Sequence, residues 1–141
     1  RFAHCLSQFI APGRVFCLSG PLGVGKSELA RAMITTFCGP QDDIPSPTFT
    51  LVQPYRSDAG FEVWHMDLYR LETAEQALAL GIEDAFYACC CLVEWPDKLQ
   101  EWLPADQIRI DLAMGSDTGA RVVALAAAPE ILDQFKQDYF S

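Results

Sequence analysis

Hydrophobic positions along the chain change between strand-like runs and helix-like spacing, which predicts an α/β fold. Val15–Leu18 is a short apolar run of the kind that forms a buried parallel strand. Gly39 and Pro40 are typical of a helix end, and they close a segment with helical periodicity. A second continuous apolar run, Ala88–Val93, predicts another buried strand. The apolar positions with helical spacing before Gly39 are Leu29, Ala30, Met33 and Phe37.

Two strand-forming segments on either side of a turn predict a β-hairpin at Thr48–Leu68. The first segment, Thr48–Tyr55, is rich in β-branched and aromatic residues, and Phe61–Leu68 alternates between two faces. The residues between these segments are typical of a turn. Because Pro54 cannot donate a ladder hydrogen bond, we expect its strand to end there or to lie at an edge of the sheet.

The remaining segments predict further helices and strands. Helical spacing favours a helix at Phe2–Ile10. A capping-box pattern begins another helix at Ala74–Leu80, with Gly81 as its C′ residue. Two more strands and a terminal helix are predicted at Gln107–Leu112, at Ala120–Ala126 and from Pro129 onward.

A phosphate-binding motif lies between the first predicted strand and its helix. Gly20, Gly25, Lys26 and Ser27 match G-x-x-x-x-G-K-[ST], the P-loop pattern. In such a loop, backbone N–H groups and the helix N-terminus bind phosphate, the lysine reaches the β- and γ-phosphates, and the hydroxyl binds Mg²⁺. A glycine-rich turn before an ordinary helix is the alternative, but the strand–loop–helix order favours the P-loop. The predicted nucleotide-binding residues here are Gly20, Pro21, Leu22, Gly23, Val24, Gly25, Lys26 and Ser27.

The motif makes the predicted fold more specific. We predict a single P-loop ATPase domain over residues 1–141, built as a three-layer α/β sheet of P-loop NTPase type. Its core is expected to be mostly parallel, with the hairpin inserted into the sheet. Lys26 is expected to be exposed in the loop.

Two carboxylates follow predicted strands, where ligands bind in open α/β sheets. Glu94 follows Ala88–Val93, and it is the better candidate to help hold Mg²⁺. A strand-end glutamate that faces water is the alternative. Asp67, at the end of the hairpin, could orient water, hold the metal through water or cap a loop.

A histidine and a tryptophan lie next to these carboxylates in the sequence. His65 shares a strand face with Asp67, where a lone histidine is more often structural than catalytic. Trp95 could stack on a base or sugar, or it could pack inside the fold. Because Pro96 follows Trp95, we expect extended backbone at the tryptophan.

The length and charge of the chain indicate one domain and argue against some classes of function. The 141 residues are enough for one domain with its own core. The formal net charge of −9 disfavours unaided binding of nucleic acid and suits a basic partner protein. The sequence contains no apolar run long enough to predict a membrane span, and no signal peptide is visible. The chain begins at Arg1 rather than Met, which leaves open that further residues precede it.

The six cysteines favour a reducing, cytoplasmic setting. None forms a C-x-x-C pair, and Cys17 and the triplet Cys89–Cys91 lie inside apolar runs. A thiol in such a run behaves as a small hydrophobic group, which we favour over a metal site or a disulfide.

Four short motifs occur in one order at short spacings, and together they resemble one known family. These motifs are Gly20–Ser27, Ser46–Thr48, Asp67–Leu71 and Leu92–Pro96. In this combination the chain is similar to the TsaE (YjeE) family of bacterial P-loop ATPases over nearly its whole length. Two departures from the family pattern are Pro21, where the family usually has Asp, and Ser27, where it usually has Thr. The serine keeps the hydroxyl that binds the metal.

The resemblance implies a role in the synthesis of tRNA threonylcarbamoyladenosine (t⁶A). It implies an Mg²⁺-dependent ATPase whose hydrolysis drives or resets a TsaD–TsaB pair, with ATP and Mg²⁺ as cofactors and tRNA reached only through that complex. By the same resemblance, Ser27 and Glu94 would hold Mg²⁺ and Lys26 would hold phosphate. Asp67 would act in hydrolysis, and Thr48 would lie in a nucleotide-sensing loop.

Other functions remain open from the residues alone. A small-molecule kinase would need cationic groups around the transferred phosphoryl group, and the few arginines do not cluster beyond the P-loop. None of them is evident as an arginine finger. A GTPase is disfavoured because the chain contains no Asn for a guanine-reading Asn-Lys-x-Asp motif. An ATP-gated assembly subunit without catalytic turnover is the third alternative.

Overall fold

A sheet of six strands runs through the part of the chain that the computed structural model describes, residues 1–41 and 51–141. Its spatial order is β2-β3-β4-β1-β5-β6. The four inner strands are parallel, and the two edge strands, β2 and β6, run antiparallel to their neighbours. The strands are β1 Val15–Ser19, β2 Val52–Arg56, β3 Glu62–Asp67, β4 Cys90–Glu94, β5 Ile108–Met114 and β6 Arg121–Ala126.

Helices cover both faces of this sheet, so the predicted three-layer α/β fold is confirmed. They are α1 Phe2–Ser7, α2 Lys26–Cys38, α3 Ala74–Leu78, α4 Ile82–Ala88 and α5 Pro129–Tyr139. The apolar residues of α1, α2 and α5 belong to one core cluster, and those of α3 and α4 belong to a second. No helix within residues 1–41 and 51–141 combines the length and the apolar character needed to cross a membrane.

Strand β1 shows how the sequence pattern builds the two cores. Phe16 and Leu18 face the first cluster, whereas Val15 and Cys17 face the second, as the period of two residues in a strand requires. Burial of a large apolar side chain of this kind contributes about 1.5–3 kcal/mol. Burial also raises the pKa of the Cys17 thiol to about 12, so this thiol stays protonated and packs as a small hydrophobic group.

The predicted hairpin is present in the described residues. β2 pairs with β3 in antiparallel register, and Pro54 lies opposite Trp64 on the edge strand, as expected for a residue that lacks an N–H. β3 then pairs with β4 in parallel, which inserts the hairpin into the sheet. The start of the predicted hairpin, including Thr48, lies outside the described residues.

One helix was not predicted, and one strand begins later than predicted. Two predicted helices end earlier than expected, α1 at Ser7 rather than Ile10 and α3 at Leu78 rather than Leu80. The expected strand Ala88–Val93 begins instead at Cys90, because Ala88 is the last residue of α4. Gly81 is not the C′ residue of α3, because α3 has its C-cap at Ala79; with φ of +84°, Gly81 is the N-cap of α4. Helix α4 buries Ile82 and Ala85 at a spacing of three residues, a helical signal too short to stand out beside the apolar run that follows it.

Candidate nucleotide-binding site

The P-loop connects β1 to α2 in a conformation that depends on glycine. Gly20 has φ of +144°, and a Cβ on it would overlap the carbonyl oxygen of Leu112 in β5. Gly25 has φ of +117° and forms the N-cap of α2. These two glycines let the backbone turn sharply against the neighbouring strand, and they leave the N-terminus of a 13-residue helix directed at the loop.

A cleft of about 270 Å³ opens beside this loop. The P-loop contributes Leu22, Gly23 and Gly25 to its lining, but Gly20, Pro21 and Val24 do not face it. Val24 is instead buried in the first core cluster. Thr48, which was also predicted to bind nucleotide, lies outside the described residues. The side chains that line the cleft beyond the loop are Lys26, Ser27, Glu28, Asp67, Tyr69, Arg70, Glu94 and Trp95.

Ser27 and Glu94 meet directly at the base of this cleft. The Ser27 hydroxyl donates to the carboxylate of Glu94, with its Oγ 2.9 Å from Oε1 and 2.8 Å from Oε2. β1 and β4 are adjacent and parallel, with Leu18 opposite Glu94, so the P-loop and the carboxylate leave the sheet at the same edge. Glu94 is only 3% exposed, which argues against the alternative of a glutamate that faces water.

Asp67 lies beside Glu94 at the end of the neighbouring strand. The parallel register of β3 and β4 pairs these two residues directly. Asp67 Oδ1 accepts a hydrogen bond of 3.0 Å from the backbone N–H of Tyr69, so the residue does cap the loop that follows β3. Asp67 also lines the cleft, so its hydrogen bond to the Tyr69 N–H does not remove it from the candidate site.

Lys26 is buried, and the expectation that it would be exposed is wrong. Its side chain is 5% exposed, and its Nζ donates to the carbonyl oxygens of Gly20 at 2.6 Å and Pro21 at 3.0 Å. Burial lowers the pKa of Lys26, while the carboxylates of Glu94 and Asp67 act in the opposite direction. The loop folds back on the ammonium because its own carbonyls are the acceptors within reach.

Trp95 has a left-handed backbone, so the expectation of an extended conformation is wrong. Its φ and ψ are 59° and 53°. Pro96 disfavours the right-handed helical region for the residue before it, and Trp95 adopts the left-handed region instead of the extended one. In this conformation the Trp95 ring packs against Tyr69, with centroids 5.0 Å apart, and its centroid lies 4.3 Å from Lys26 Nζ. A cation–π contact with the lysine offsets part of the roughly 1–2 kcal/mol that a left-handed residue costs.

The structure brings further residues to the site that sequence reasoning did not place there. Tyr69 and Arg70 lie between two buried anchors, Leu68 and Leu71, so they face outward into the cleft. Arg70 is thus an arginine at the cleft that the sequence did not single out. Two buried leucines that flank two polar residues could have predicted this arrangement.

His65 is the other residue whose place in the site was not predicted. It was expected to be structural, but its Nε2 lies 2.6 Å from Glu94 Oε2. The signal in the sequence was its position two residues before Asp67 on the same strand.

The donors at the base of the cleft suit Mg²⁺. A serine hydroxyl and a carboxylate are oxygen ligands, which Mg²⁺ prefers, and it completes its octahedron with water and phosphate oxygens. Among the described residues, no group of three or more His, Cys, Asp or Glu side chains converges as a complete metal cage. A site with few protein ligands is the usual arrangement where the metal arrives with a nucleotide.

The chain is similar to known proteins in both sequence and structure. The sequence profile described as Threonylcarbamoyl adenosine biosynthesis protein TsaE matches residues 1–123. The tRNA threonylcarbamoyladenosine biosynthesis protein TsaE of Rickettsia bellii is 37% identical over 116 residues, which are 82% of this chain and 80% of that protein. The protein of the same name from Haemophilus influenzae is 40% identical over 111 residues, 78% of this chain and 68% of that protein. The crystal structure of YdiB from Bacillus subtilis aligns with a TM-score of 0.78 at 25% identity, covering 98% of this chain and 86% of that chain.

Proposed function

The chain belongs to the TsaE family of threonylcarbamoyl adenosine biosynthesis proteins, and we propose that it is an Mg²⁺-dependent ATPase of the t⁶A pathway. One observation carries the proposal. The Ser27 hydroxyl of the P-loop lies 2.8–2.9 Å from the carboxylate of Glu94, in a cleft that also contains Lys26. This pairing of a P-loop hydroxyl with a strand-end carboxylate is the arrangement with which P-loop enzymes hold Mg²⁺.

The protein's own groups would bind the triphosphate by electrostatics. The N–H groups of the loop and the N-terminus of α2 present partial positive charge to phosphate. The Lys26 ammonium would exchange its hydrogen bonds with the Gly20 and Pro21 carbonyls for bonds to phosphate oxygens. Ser27 and Glu94 would hold Mg²⁺, which when bound neutralises charge that develops on the phosphates.

Asp67 is proposed to position the attacking water. It lies next to Glu94 across the β3–β4 pair and lines the same cleft, while the backbone N–H of Tyr69 fixes one of its oxygens. A carboxylate held in this way can accept a hydrogen bond from water and orient it toward the terminal phosphate.

Glu94→Gln should keep ATP binding but weaken Mg²⁺-dependent hydrolysis by about 10²-fold or more. The amide has the shape of the carboxylate but lacks its charge, so the metal loses an anionic ligand. Phosphate release at increasing Mg²⁺ concentration measures the effect, and isothermal titration with ATP measures binding. Glu62→Gln, a change on β3 outside the cleft, is the matched control. Hydrolysis by Glu94→Gln at the parent rate would remove Glu94 from the metal site.

Asp67→Asn should lower the turnover number more than the affinity for ATP, because the amide does not orient water as a carboxylate does. The expected loss in turnover is on the order of 10²-fold. Single-turnover phosphate release separates this step from binding. If Asp67→Asn and Glu94→Gln instead lose ATP affinity equally and strongly, both residues mainly hold the metal.

We further propose that the protein acts with a TsaD–TsaB pair in the cytoplasm and reaches tRNA only through that complex. Its acidic charge supports a protein partner rather than direct binding of nucleic acid. A small-molecule kinase and an ATP-gated subunit without turnover are the competing functions. Phosphate release to water with Mg²⁺-ATP supports the ATPase, transfer to a small molecule would support the kinase, and binding without release would support the gated subunit.

A further inference from the structure

A buried histidine contacts the carboxylate that faces Ser27. His65 lies on β3, is 0% exposed, and has its Nε2 2.6 Å from Glu94 Oε2. Glu94 on β4 in turn accepts from the hydroxyl of Ser27 on α2. Side chains from three separate elements therefore form one continuous series of hydrogen bonds that leads from the core to the floor of the cleft.

The surroundings of the imidazole select which of its nitrogens carries the proton. Nδ1 is buried without a hydrogen-bond partner among the described residues. With the proton on Nε2, the only N–H of the neutral ring is paired with Glu94. With the proton on Nδ1, a buried N–H would be unpaired, at a cost of about 1–3 kcal/mol, and two acceptors would face each other across the contact. Of the two tautomers with a single ring proton, the arrangement therefore favours the one that carries it on Nε2.

We propose that His65 is a positioning residue for the metal site, and this inference rests on the proposed ATPase function. Its Nε2–H holds Glu94 Oε2, so the carboxylate cannot rotate away from Ser27 and the cation. A glutamate side chain otherwise loses up to about 1.5–2 kcal/mol of rotamer freedom when it is ordered.

A purely structural role explains this placement less well. Val63 precedes His65 on the same face of β3, and Leu92 lies opposite His65 on β4; both are fully buried apolar residues. A polar ring among them costs desolvation energy that an apolar side chain would avoid. Groups that hold metal-binding side chains in place typically change metal affinity or activity by about 10–100-fold when removed.

Two amide substitutions separate positioning from packing. In His65→Gln the side-chain amide nitrogen reaches about as far as Nε2, whereas in His65→Asn it reaches only as far as Nδ1. We expect His65→Gln to keep nearly the parent Mg²⁺ dependence of nucleotide binding. We expect His65→Asn to need about 10–100-fold more Mg²⁺. Isothermal titration of ATP at a series of Mg²⁺ concentrations measures the difference, and thermal unfolding without nucleotide reports folding separately.

The other histidine of the chain is the matched control. His4 is exposed on α1, away from the cleft, and His4→Gln should leave the Mg²⁺ dependence unchanged. A double variant that combines His65→Asn with Glu94→Gln provides a second test of the inference. If His65 acts through Glu94, the His65→Asn change should have little further effect in the Glu94→Gln background. Losses that multiply, or a parent-like Mg²⁺ dependence in His65→Asn, would overturn the inference.

Nuclear magnetic resonance of the unsubstituted protein tests the contact even if the variants do not fold. Correlations between the ring carbons' protons and the ¹⁵N nuclei should show a proton on Nε2 of His65, and a ring that is protonated on Nδ1 alone would overturn the inference. The two proposals fail in different ways. If the parent protein neither binds nor hydrolyses ATP, the proposed function fails, while the tautomer still decides whether His65 holds Glu94. If the parent protein shows Mg²⁺-dependent binding that His65→Asn leaves unchanged, only the inference fails.

Discussion

Adding a purified TsaD–TsaB pair should raise the ATP turnover of this protein by up to about 10³–10⁵-fold, the range that a cation supplied by a partner can contribute in P-loop enzymes. Within the described residues, the cationic side chains that line the cleft are Lys26 and Arg70. Lys26 is committed to the phosphates in the proposed mechanism, and Arg70 lies on the loop after β3. Phosphate release with each component added in turn measures the effect.

Salt and tRNA provide the controls for this partner prediction. Because the chain carries a net charge of −9, docking on a basic surface should weaken as salt shortens the Debye length to about 8 Å at 0.15 M. Bare tRNA should bind poorly for the same reason. Strong turnover by the isolated protein, unchanged by the pair, would contradict the prediction and would indicate that Arg70 supplies the cation within the chain. Arg70→Gln would then abolish that turnover.

Lys26→Met should abolish productive binding of ATP, with turnover lower by about 10²-fold or more, while the chain stays folded. Methionine preserves most of the apolar stem and removes the ammonium that would contact the phosphates. Because Lys26 is buried, Lys26→Ala removes packed methylene groups as well and should cost about 1–2 kcal/mol of folding free energy. Titration calorimetry with ATP and thermal unfolding of both variants measure the two effects separately.

Two comparisons complete the lysine experiment. Lys98→Met, in the 3-10 turn Pro96–Lys98 and outside the cleft, controls for the loss of a positive charge. If Lys26→Met bound and hydrolysed ATP like the parent protein, the assignment of the cleft would be wrong. If both lysine-26 variants unfolded alike, the buried ammonium would be structural rather than a phosphate ligand.

Most of the fold could be predicted because its signals are local and periodic. A strand that is buried on both faces produces a continuous apolar run, as at Val15–Leu18. A strand that is buried on one face produces alternation, as in Ile108–Leu112. Helix α4 could not be predicted with the same ease, because two turns of helix pass without a clear boundary into the cysteine triplet. Gly81 was interpreted only as a helix end, whereas a left-handed glycine can also precede a helix.

Less of the site geometry could be predicted, because it depends on contacts between distant segments. The proximity of Ser27 and Glu94 followed from the rule that parallel strands end at the same edge, and the structure has them in contact. The burial of Lys26 and the left-handed backbone of Trp95 are linked, because the Trp95 ring lies over the Lys26 ammonium. Neither conformation has a signature in the sequence. The hydrogen bond from His65 to Glu94 depends on strand pairing that no local pattern specifies.

The close approach of Gly20 to β5 also limits how this family of sequences can change. The atom that excludes a side chain at position 20 is the backbone oxygen of Leu112. Replacing the leucine leaves that oxygen in place, so no substitution at residue 112 makes room for a side chain at position 20. An insertion or deletion in β5 before residue 112 would move the oxygen and alter the fit of the loop. The phosphate loop therefore depends on the backbone position of β5 rather than on the side chain at residue 112.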